Sequence, residues 1–375
     1  MKKKEEEKKR RQGRIARELG RIAGLDRYVR PEKVRGAIKL DSNENFALDS
    51  SFIAEVAALA AGAVDLREYP LDEFDALSRQ LALYTGIPEK YIGIGSGSDQ
   101  VIELLLTTIA GSGRRACAFV PTFSYFINRC ELHGIRVDKV PLDKNFELDP
   151  KAFVKRAARS DVVYLCSPNN PTGGQLARKD ALYMIDELES DDRLVLVDEA
   201  YADFAGYSLA KEATRRRNVI VLRTLSKAFG LAGARVGYMV ANEEVAGAFN
   251  STIQSPYPIS TLSLAIAARV LERSERVKKT IEAVREERRR VFGSLSGFGS
   301  GIKAYRSDAN FLFIEAGARN YGPIVRELAR SGIVVKLMGD SVAGHRGCMR
   351  VTIGTREMND AFLSCIERAV AGVAR

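Results

Sequence analysis

The sequence contains no tryptophan and only two histidines, His133 and His345, among its 375 residues. So few imidazole groups leave a multi-histidine metal centre short of ligands, and no metal site is predicted. The five cysteines are widely spaced and form no CxxC pair. They outline neither a zinc site nor a disulfide framework, so a reducing cytoplasm is the expected compartment. Apolar runs stay well short of the roughly 18 residues that a membrane span needs.

Positive charge is concentrated at the start of the chain. The net charge is +10, and residues 1–36, with 14 Lys or Arg and 6 Asp or Glu, account for +8 of it. We expect residues 1–24 to form a solvated, partly helical basic arm. The alternative is an arm that contacts nucleic acid or another acidic surface. No aromatic residue occurs in the first 27 positions, which favours the solvated arm.

Short apolar runs alternate with helical stretches from about residue 90 onward. The runs are continuously apolar, as in strands that are buried on both faces, and lie at 91–95, 116–120, 162–166, 194–197 and 220–223. This pattern predicts an α/β fold with a mainly parallel central sheet sandwiched by helices. A charged helical connector over 264–294 leads to a smaller α+β unit. We therefore expect a large domain over 42–261 and a small domain formed by 25–41 and 262–375.

Polar residues follow these runs, at the strand ends where open α/β sheets bind ligands. The loop 95–99 contains small residues that suit an anion, although Ser98 or Asp99 could equally cap a helix. Asp198 directly follows one run, and a buried carboxylate there needs a partner. Lys227 follows another run among small and apolar residues, where a desolvated amine can act as a nucleophile. Arg235 could bind a phosphate, and a surface ion pair is its alternative role.

Together these groups offer what pyridoxal 5′-phosphate (PLP) requires, namely an amine, an acid for the ring nitrogen and donors for the phosphate. Three motifs sharpen this interpretation: SPNNPTG at 167–173, VDEAY at 197–201 and RTLSKAFGLAGARVGY at 223–238. In this order they resemble the fold-type I PLP-dependent aminotransferases, most closely the histidinol-phosphate aminotransferase family. The resemblance covers roughly residues 25–375. It implies the fold-type I architecture, PLP as cofactor and a homodimer.

The resemblance also implies roles for individual residues. Lys227 would carry PLP as a Schiff base, Asp198 would pair with its ring nitrogen, and Asn170 and Tyr201 would bond its O3′ oxygen. The phosphate would be surrounded by Ser98, Asp99, Thr224, Ser226 and Arg235, with Tyr69 reaching across the dimer interface from the partner subunit. Phe123 would stack on the PLP ring. Substrate contacts would come from Tyr28, Asn43, Lys336 and Arg350.

The sequence departs from the family pattern at several positions. Residues 46–49 replace a Pro-x-Gly-Pro type turn, and Phe123 stands where the family usually has tyrosine, so the hydroxyl is lost but the stacking face is kept. Lys336 stands where arginine is common and can still attract an anion as a point charge. His345 and Arg346 lie in the loop before Arg350, where they either contact substrate or belong to a mobile surface loop. These departures leave PLP binding intact and the amine substrate open.

The function we expect is ping-pong transamination of histidinol phosphate with 2-oxoglutarate. An aromatic or other amino-acid aminotransferase and a threonine-phosphate decarboxylase are alternatives, because they would share the same cofactor-binding residues. A PLP-binding regulator whose basic arm contacts nucleic acid is a third possibility. Residues 1–36 are too short for a helix-turn-helix module, so we do not expect that contact.

Overall fold

The computed structural model describes residues 13–25, 35–298 and 301–374. The larger of its two sheets has seven strands, namely β2 (Ile92–Gly95), β3 (Arg115–Val120), β4 (Arg136–Pro141), β5 (Val162–Cys166), β6 (Leu194–Asp198), β7 (Val219–Thr224) and β8 (Gly237–Val240). The strand order is β2-β8-β7-β6-β5-β3-β4. Strands β3 to β7 pair in parallel, and β8 runs antiparallel to both β7 and β2.

Burial explains why these sequences form central strands. Every residue of β5, β6 and β7 is buried, as expected of apolar runs covered on both faces. The carboxyl ends of these three strands lie side by side, and the chain leaves each of them into a polar loop. The predicted mainly parallel sheet is therefore confirmed, and the three loops define one edge on which a site can be built.

The smaller sheet has five strands, β1 (Ile38–Leu40), β9 (Lys303–Ala304), β10 (Phe311–Glu315), β11 (Ile333–Gly339) and β12 (Cys348–Thr352), in the order β1-β11-β12-β10-β9. Strand β1 pairs in parallel with β11 although nearly 300 residues separate them, and the other pairs are antiparallel. The large sheet is built from strands between residues 92 and 240, and the small sheet from residues 38–40 and from strands between residues 303 and 352. The domain boundaries themselves stay a prediction.

The described helices are α1 (Arg14–Ala23), α2 (Ser50–Ala61), α3 (Asp72–Thr85), α4 (Gly97–Leu105), α5 (Ser124–Leu132), α6 (Pro150–Ala157), α7 (Arg178–Glu187), α8 (Ala210–Ala213), α9 (Glu243–Ala248), α10 (Thr261–Glu272), α11 (Ser274–Ser296), α12 (Gly317–Arg330) and α13 (Arg356–Ala374). The single connector expected over 264–294 is divided at Arg273, whose φ of −105° and ψ of 28° leave the helical region. The break separates the largely buried α10 from the charged α11. Among these helices none has the length and apolarity to cross a membrane.

Residues 1–12 of the predicted basic arm, half of its length, lie outside the described residues. Its described part, α1, is a helix with Ile15, Leu19 and Ile22 exposed on its surface. Arg21 links it to the end of α5 by donating hydrogen bonds to the backbone carbonyl oxygens of Glu131 (3.2 Å) and Leu132 (2.9 Å). The helical part of the prediction is therefore confirmed for residues 14–23.

Candidate active site

Asp198 ends β6 and places a carboxylate inside the protein, with only 3% of its surface exposed. The Tyr164 hydroxyl donates to its Oδ2 at 2.5 Å, and the Ala200 amide donates to its Oδ1 at 3.0 Å. Burial raises the pKa of Asp198 to about 6, while these two hydrogen bonds act in the opposite direction. Near neutral pH the site therefore holds a negative charge that can accept a hydrogen bond from a protonated ring nitrogen.

Lys227 lies three residues beyond the end of β7 and is half-buried. Its Nζ donates to the backbone carbonyl oxygen of Ser42 at 2.9 Å and lies 5.9 Å from the ring centroid of Tyr201. Burial, with the positive charge of Arg350 as a second cause, lowers the pKa of Lys227 to about 8. A substantial neutral fraction near physiological pH makes this amine able to attack a carbonyl or take a proton.

The residues predicted to surround a phosphate form a corner, the phosphate corner, where α4 begins and where the chain enters β8. Asp99 Oδ2 accepts a hydrogen bond from Arg235 Nη2 at 3.1 Å. A Cβ at Gly97 would lie 2.6 Å from Arg235 Nη2, and one at Gly237 would lie 2.2 Å from the backbone nitrogen of Ser98. Only residues without a Cβ allow the two elements to approach this closely.

Thr224 and Ser226 complete this corner from the end of β7, and both are buried. Thr224 Oγ1 donates to the Val236 carbonyl at 3.3 Å and accepts the Ser226 amide at 3.1 Å. The structure thus brings together the five residues predicted to surround a phosphate, Ser98, Asp99, Thr224, Ser226 and Arg235. Backbone N–H groups at the start of α4 add the partial positive charge that favours an anion.

Arg350, on β12 of the small sheet, reaches across to the large sheet. Its Nη1 donates to Asn170 Oδ1 at 2.6 Å, and its Nη2 donates to the Asp41 carbonyl at 2.5 Å. Its Nε is buried and makes no hydrogen bond within the described part of the chain. Burial lowers the pKa of Arg350 below its ordinary value. The buried Arg350 guanidinium thus keeps an N–H donor without a partner among the described residues, next to Asn170. Such a group suits an anionic ligand such as a carboxylate.

Tyr201 is held by a residue that the sequence analysis assigned to substrate. Asn43 Nδ2 donates to the Tyr201 hydroxyl at 2.9 Å, and the Tyr201 ring packs edge-on against Phe311 at 5.0 Å. Asn43 itself is fixed by Thr352, whose Oγ1 accepts a hydrogen bond from the backbone nitrogen of Asn43 at 2.9 Å. Burial raises the pKa of Tyr201 to about 12, so the phenol stays protonated and can donate to a bound oxygen.

Three other predicted residues lie at the margin of this cluster. Lys336 is exposed, and its register partner in the antiparallel β11–β12 pair is Arg350, so both side chains lie on one face of the sheet. Phe123 is half-buried at the start of α5. Tyr69 is 72% exposed and stacks on Tyr257 with a centroid distance of 4.3 Å. The prediction for Tyr28 lies outside the described residues.

The loop before Arg350 differs from the surface segment considered in the sequence analysis. His345 is 93% buried, since only 7% of its surface is exposed. Its Nδ1 lies 3.0 Å from Glu315 Oε2 and 3.2 Å from the Tyr305 hydroxyl, and its ring stacks on Phe146. The surface-loop alternative is therefore wrong for His345, because its imidazole is used in small-domain packing. Arg346 is exposed and pairs with Asp340 at 3.5 Å.

Sequence reasoning missed Tyr164 and the carbonyl oxygen of Ser42. Tyr164 interrupts the apolar run VVYLC with a hydroxyl, and a buried hydroxyl needs a hydrogen-bond partner. That signal was present in the sequence. Ser42 acts through its backbone, which no side-chain pattern reveals.

The described groups fit PLP. The Asp198 carboxylate suits the ring nitrogen, the Lys227 amine suits the aldehyde, and the phosphate corner suits the phosphate group. These three features lie along one edge of the large sheet.

Comparison with known proteins agrees with this chemistry. The family model described as aminotransferase class I and II matches residues 35–366. The chain belongs to this aminotransferase family. The histidinol-phosphate aminotransferase of Pyrococcus furiosus is 33% identical over 304 residues, which are 81% of this chain and 84% of that protein. That of Thermococcus gammatolerans is 34% identical over 335 residues, 89% of this chain and 92% of that protein.

The aminotransferase also resembles solved structures. The histidinol-phosphate aminotransferase of Sinorhizobium meliloti, in complex with pyridoxal 5′-phosphate, superposes with a TM-score of 0.83 over 94% of this chain and 97% of that one. The two sequences are 24% identical, so this likeness concerns the fold. The predicted fold class, enzyme class and cofactor are therefore confirmed. As an aminotransferase, the protein acts on an amino donor and an oxo-acid acceptor.

Proposed function

We propose that this aminotransferase transfers the amino group of histidinol phosphate to 2-oxoglutarate, in two half-reactions at one site. The observation that carries the chemistry is that Asp198 and Lys227 lie at the ends of the neighbouring strands β6 and β7 and that the charge of Arg350 acts on Lys227, because this combines an amine, an acid and an anion-binding cation. The choice of donor is supported by the two archaeal relatives, which are histidinol-phosphate aminotransferases matched over more than four-fifths of this chain.

The residues would divide the work of holding PLP. Asp198 would accept the ring N–H, Asn170 and Tyr201 would bond O3′, Phe123 would stack on the ring, and the phosphate corner would anchor the opposite end. When bound, PLP carries the amino group of the substrate and withdraws electrons from its Cα–H bond.

Lys227 is the proton carrier in this proposal. Its Nζ takes the proton from the substrate Cα, and it can do so near neutral pH because its pKa is lowered to about 8. The same amine returns the proton later in the half-reaction. Asp198 keeps its negative charge next to the ring nitrogen and so stabilises the proton there. No histidine is needed, in keeping with the scarcity of that residue in the sequence.

Substrate choice would depend on cations on the β11–β12 face. Arg350 would bind the carboxylate of glutamate or 2-oxoglutarate. Arg350 and Lys336 together would bind the phosphate of histidinol phosphate, because both side chains lie on the same face of the sheet. Tyr28 would add a further contact. Asn43 would act on substrate through the position of Tyr201.

We further propose that the enzyme is a cytoplasmic homodimer. Large apolar side chains are exposed close together in sequence around Tyr69, namely Leu59, Leu66, Tyr69 and Leu71, and Tyr257 stacks on Tyr69. A second copy of the chain would cover this surface and receive Tyr69 at its phosphate corner.

The substrate assignment is tested by titrating the PLP-loaded enzyme with histidinol phosphate, glutamate, phenylalanine and aspartate and following the cofactor absorbance. We expect the first two donors to convert the cofactor to its amine form efficiently and the other two to do so far less well. A preference for phenylalanine would contradict the proposal. Release of carbon dioxide without an oxo product would identify a decarboxylase instead.

Lys336 offers a sharper test of phosphate recognition. Lys336→Ala should raise KM for histidinol phosphate by about tenfold, the size of one lost charge-assisted contact, and should change KM for glutamate less. Lys336→Arg should retain or improve the histidinol phosphate KM. Lys151→Ala, at an exposed lysine on α6, is the matched control and should leave both values unchanged. Equal effects of Lys336→Ala on both substrates would remove Lys336 from the phosphate site.

A further inference from the structure

The hydrogen bond between Tyr164 and Asp198 assigns a role to a residue that the proposed mechanism does not use. In the parallel pairing of β5 and β6, Cys166 is the register partner of Asp198. Tyr164 lies two residues earlier on β5, so its side chain is on the same face of the sheet as Asp198. The length of the phenol spans the remaining distance and places its hydroxyl 2.5 Å from Asp198 Oδ2.

The Tyr164 ring is fixed independently of this hydrogen bond. It is fully buried and stacks on Phe126 of α5 with a centroid distance of 4.1 Å and an interplanar angle of 8°. A fully buried side chain with a ring face stacked on Phe126 has little freedom, so its hydroxyl is presented to Asp198 in one direction. Phenylalanine would preserve this packing and remove only the hydroxyl.

The direction of the hydrogen bond determines its effect. Burial and the neighbouring carboxylate raise the pKa of Tyr164 well above its ordinary value, so the phenol keeps its proton and donates it. The acceptor is therefore the ionised form of Asp198, which the hydrogen bond stabilises against the cost of burial. With Oδ1 bonded to Ala200 and Oδ2 to Tyr164, the carboxylate plane is fixed and lone pairs remain for one further donor.

We propose that Tyr164 is a positioning residue for the cofactor, which holds the Asp198 carboxylate ionised and oriented so that it can bind the protonated ring nitrogen of PLP. The proposal rests on the cofactor-binding part of the proposed function and is independent of which amine is the donor. Tyr164 does not touch the reacting atoms and acts only through Asp198.

A binding cycle separates this role from a purely structural one. The full chain, freed of cofactor, is titrated with PLP and with an analogue in which a CH group replaces the ring nitrogen. Tyr164→Phe should weaken PLP binding by about tenfold, the size of one charge-assisted hydrogen bond, and should leave binding of the analogue unchanged. Ring-¹⁵N-labelled PLP in the loaded variant should give an NMR signal shifted toward that of neutral pyridine.

Tyr84→Phe is the matched control, because Tyr84 also donates to a carboxylate, Asp203 Oδ1 at 2.8 Å, outside the proposed site. It should change neither affinity. If Tyr164→Phe weakened the binding of PLP and of the analogue equally, the role of Tyr164 would be structural and the proposal would be overturned. An unchanged PLP affinity together with an unchanged ¹⁵N signal would also overturn it. Neither measurement uses an amino donor. A failure of histidinol phosphate to react would therefore refute the substrate assignment and leave this result untouched.

Discussion

Asp198 holds a charge that the folded protein stabilises poorly without its cofactor. Its pKa rises from an ordinary 3.8 to about 6 on folding, so the neutral, protonated side chain favours folding below pH 4, and this contribution is lost as the pH rises through 6. We predict that Asp198→Asn stabilises the cofactor-free protein at pH 8 by about 1–3 kcal/mol and has little effect at pH 4. Denaturant unfolding of both proteins at the two pH values measures this difference.

The same substitution should weaken PLP binding, because the amide carries no charge to hold the protonated ring nitrogen. Asp192→Asn, at an exposed position, serves as the control and should show no pH-dependent gain. An Asp198→Asn protein less stable than the wild type at pH 8 would contradict the account of this buried charge.

Single residues at the site differ in how far the sequence could predict them. Asp198 ends β6 and Lys227 lies three residues after β7, so the apolar periodicity of the chain indicates the sheet edge for both, and Arg235 lies eight residues beyond Lys227 in the same loop. The partners of two other groups could not be found this way. Asn43 holds Tyr201 across 158 residues, and the Ser42 carbonyl accepts from Lys227 across 185. Such contacts depend on how β1 and its following loop pack against the large sheet.

At the level of elements, the phosphate corner depends on how closely β8 approaches α4. A Cβ at Gly237 would lie 2.2 Å from the Ser98 nitrogen and 2.4 Å from the Gly97 carbonyl carbon, both of them backbone atoms that cannot move aside cheaply. We predict that Gly237→Ala destabilises the protein by about 3 kcal/mol and also weakens PLP binding, since the strand and the helix must separate. Thermal unfolding and PLP titration measure the two effects.

Gly247 provides the comparison within the same fold. It is exposed on α9, and an added Cβ would meet nothing within 4 Å. Gly247→Ala should therefore stabilise the protein by up to about 1 kcal/mol through helix propensity, with PLP affinity unchanged. A Gly237→Ala variant as stable as Gly247→Ala would show that the corner is looser than the contacts indicate.

The type of most elements follows from local pattern, whereas their pairing does not. The apolar runs at 162–166, 194–197 and 220–223 became fully buried parallel strands as predicted. The break at Arg273 was missed, because the surrounding residues are good helix formers and the packing of α10 against α2 and α3 is not visible in the local sequence. Tertiary packing here overrides propensity.

At the scale of the whole molecule, the exposed apolar surface around Tyr69 bears on whether one subunit contains a complete site. Tyr69 is 72% exposed and stacks on Tyr257, which is 44% exposed, so the ring of Tyr69 contacts a surface tyrosine of its own subunit. In the two-fold dimer proposed above, each Tyr69 would lie near the phosphate corner of the other subunit. Each site would then need residues from two chains.

Mixing two defective variants tests this arrangement directly. Lys227→Ala removes the proton carrier, and Tyr69→Ala removes the residue proposed to cross the interface, so each homodimer should have little or no activity. In a mixed dimer, the subunit with intact Lys227 receives an intact Tyr69 from its partner, and one site is complete. Random re-association of equal amounts should therefore restore roughly one quarter of wild-type activity, because half of the dimers are mixed and each has one working site. If Tyr69 served its own subunit instead, every mixed dimer would lack a complete site, and steady-state assays of the mixture would show no gain over the separate variants.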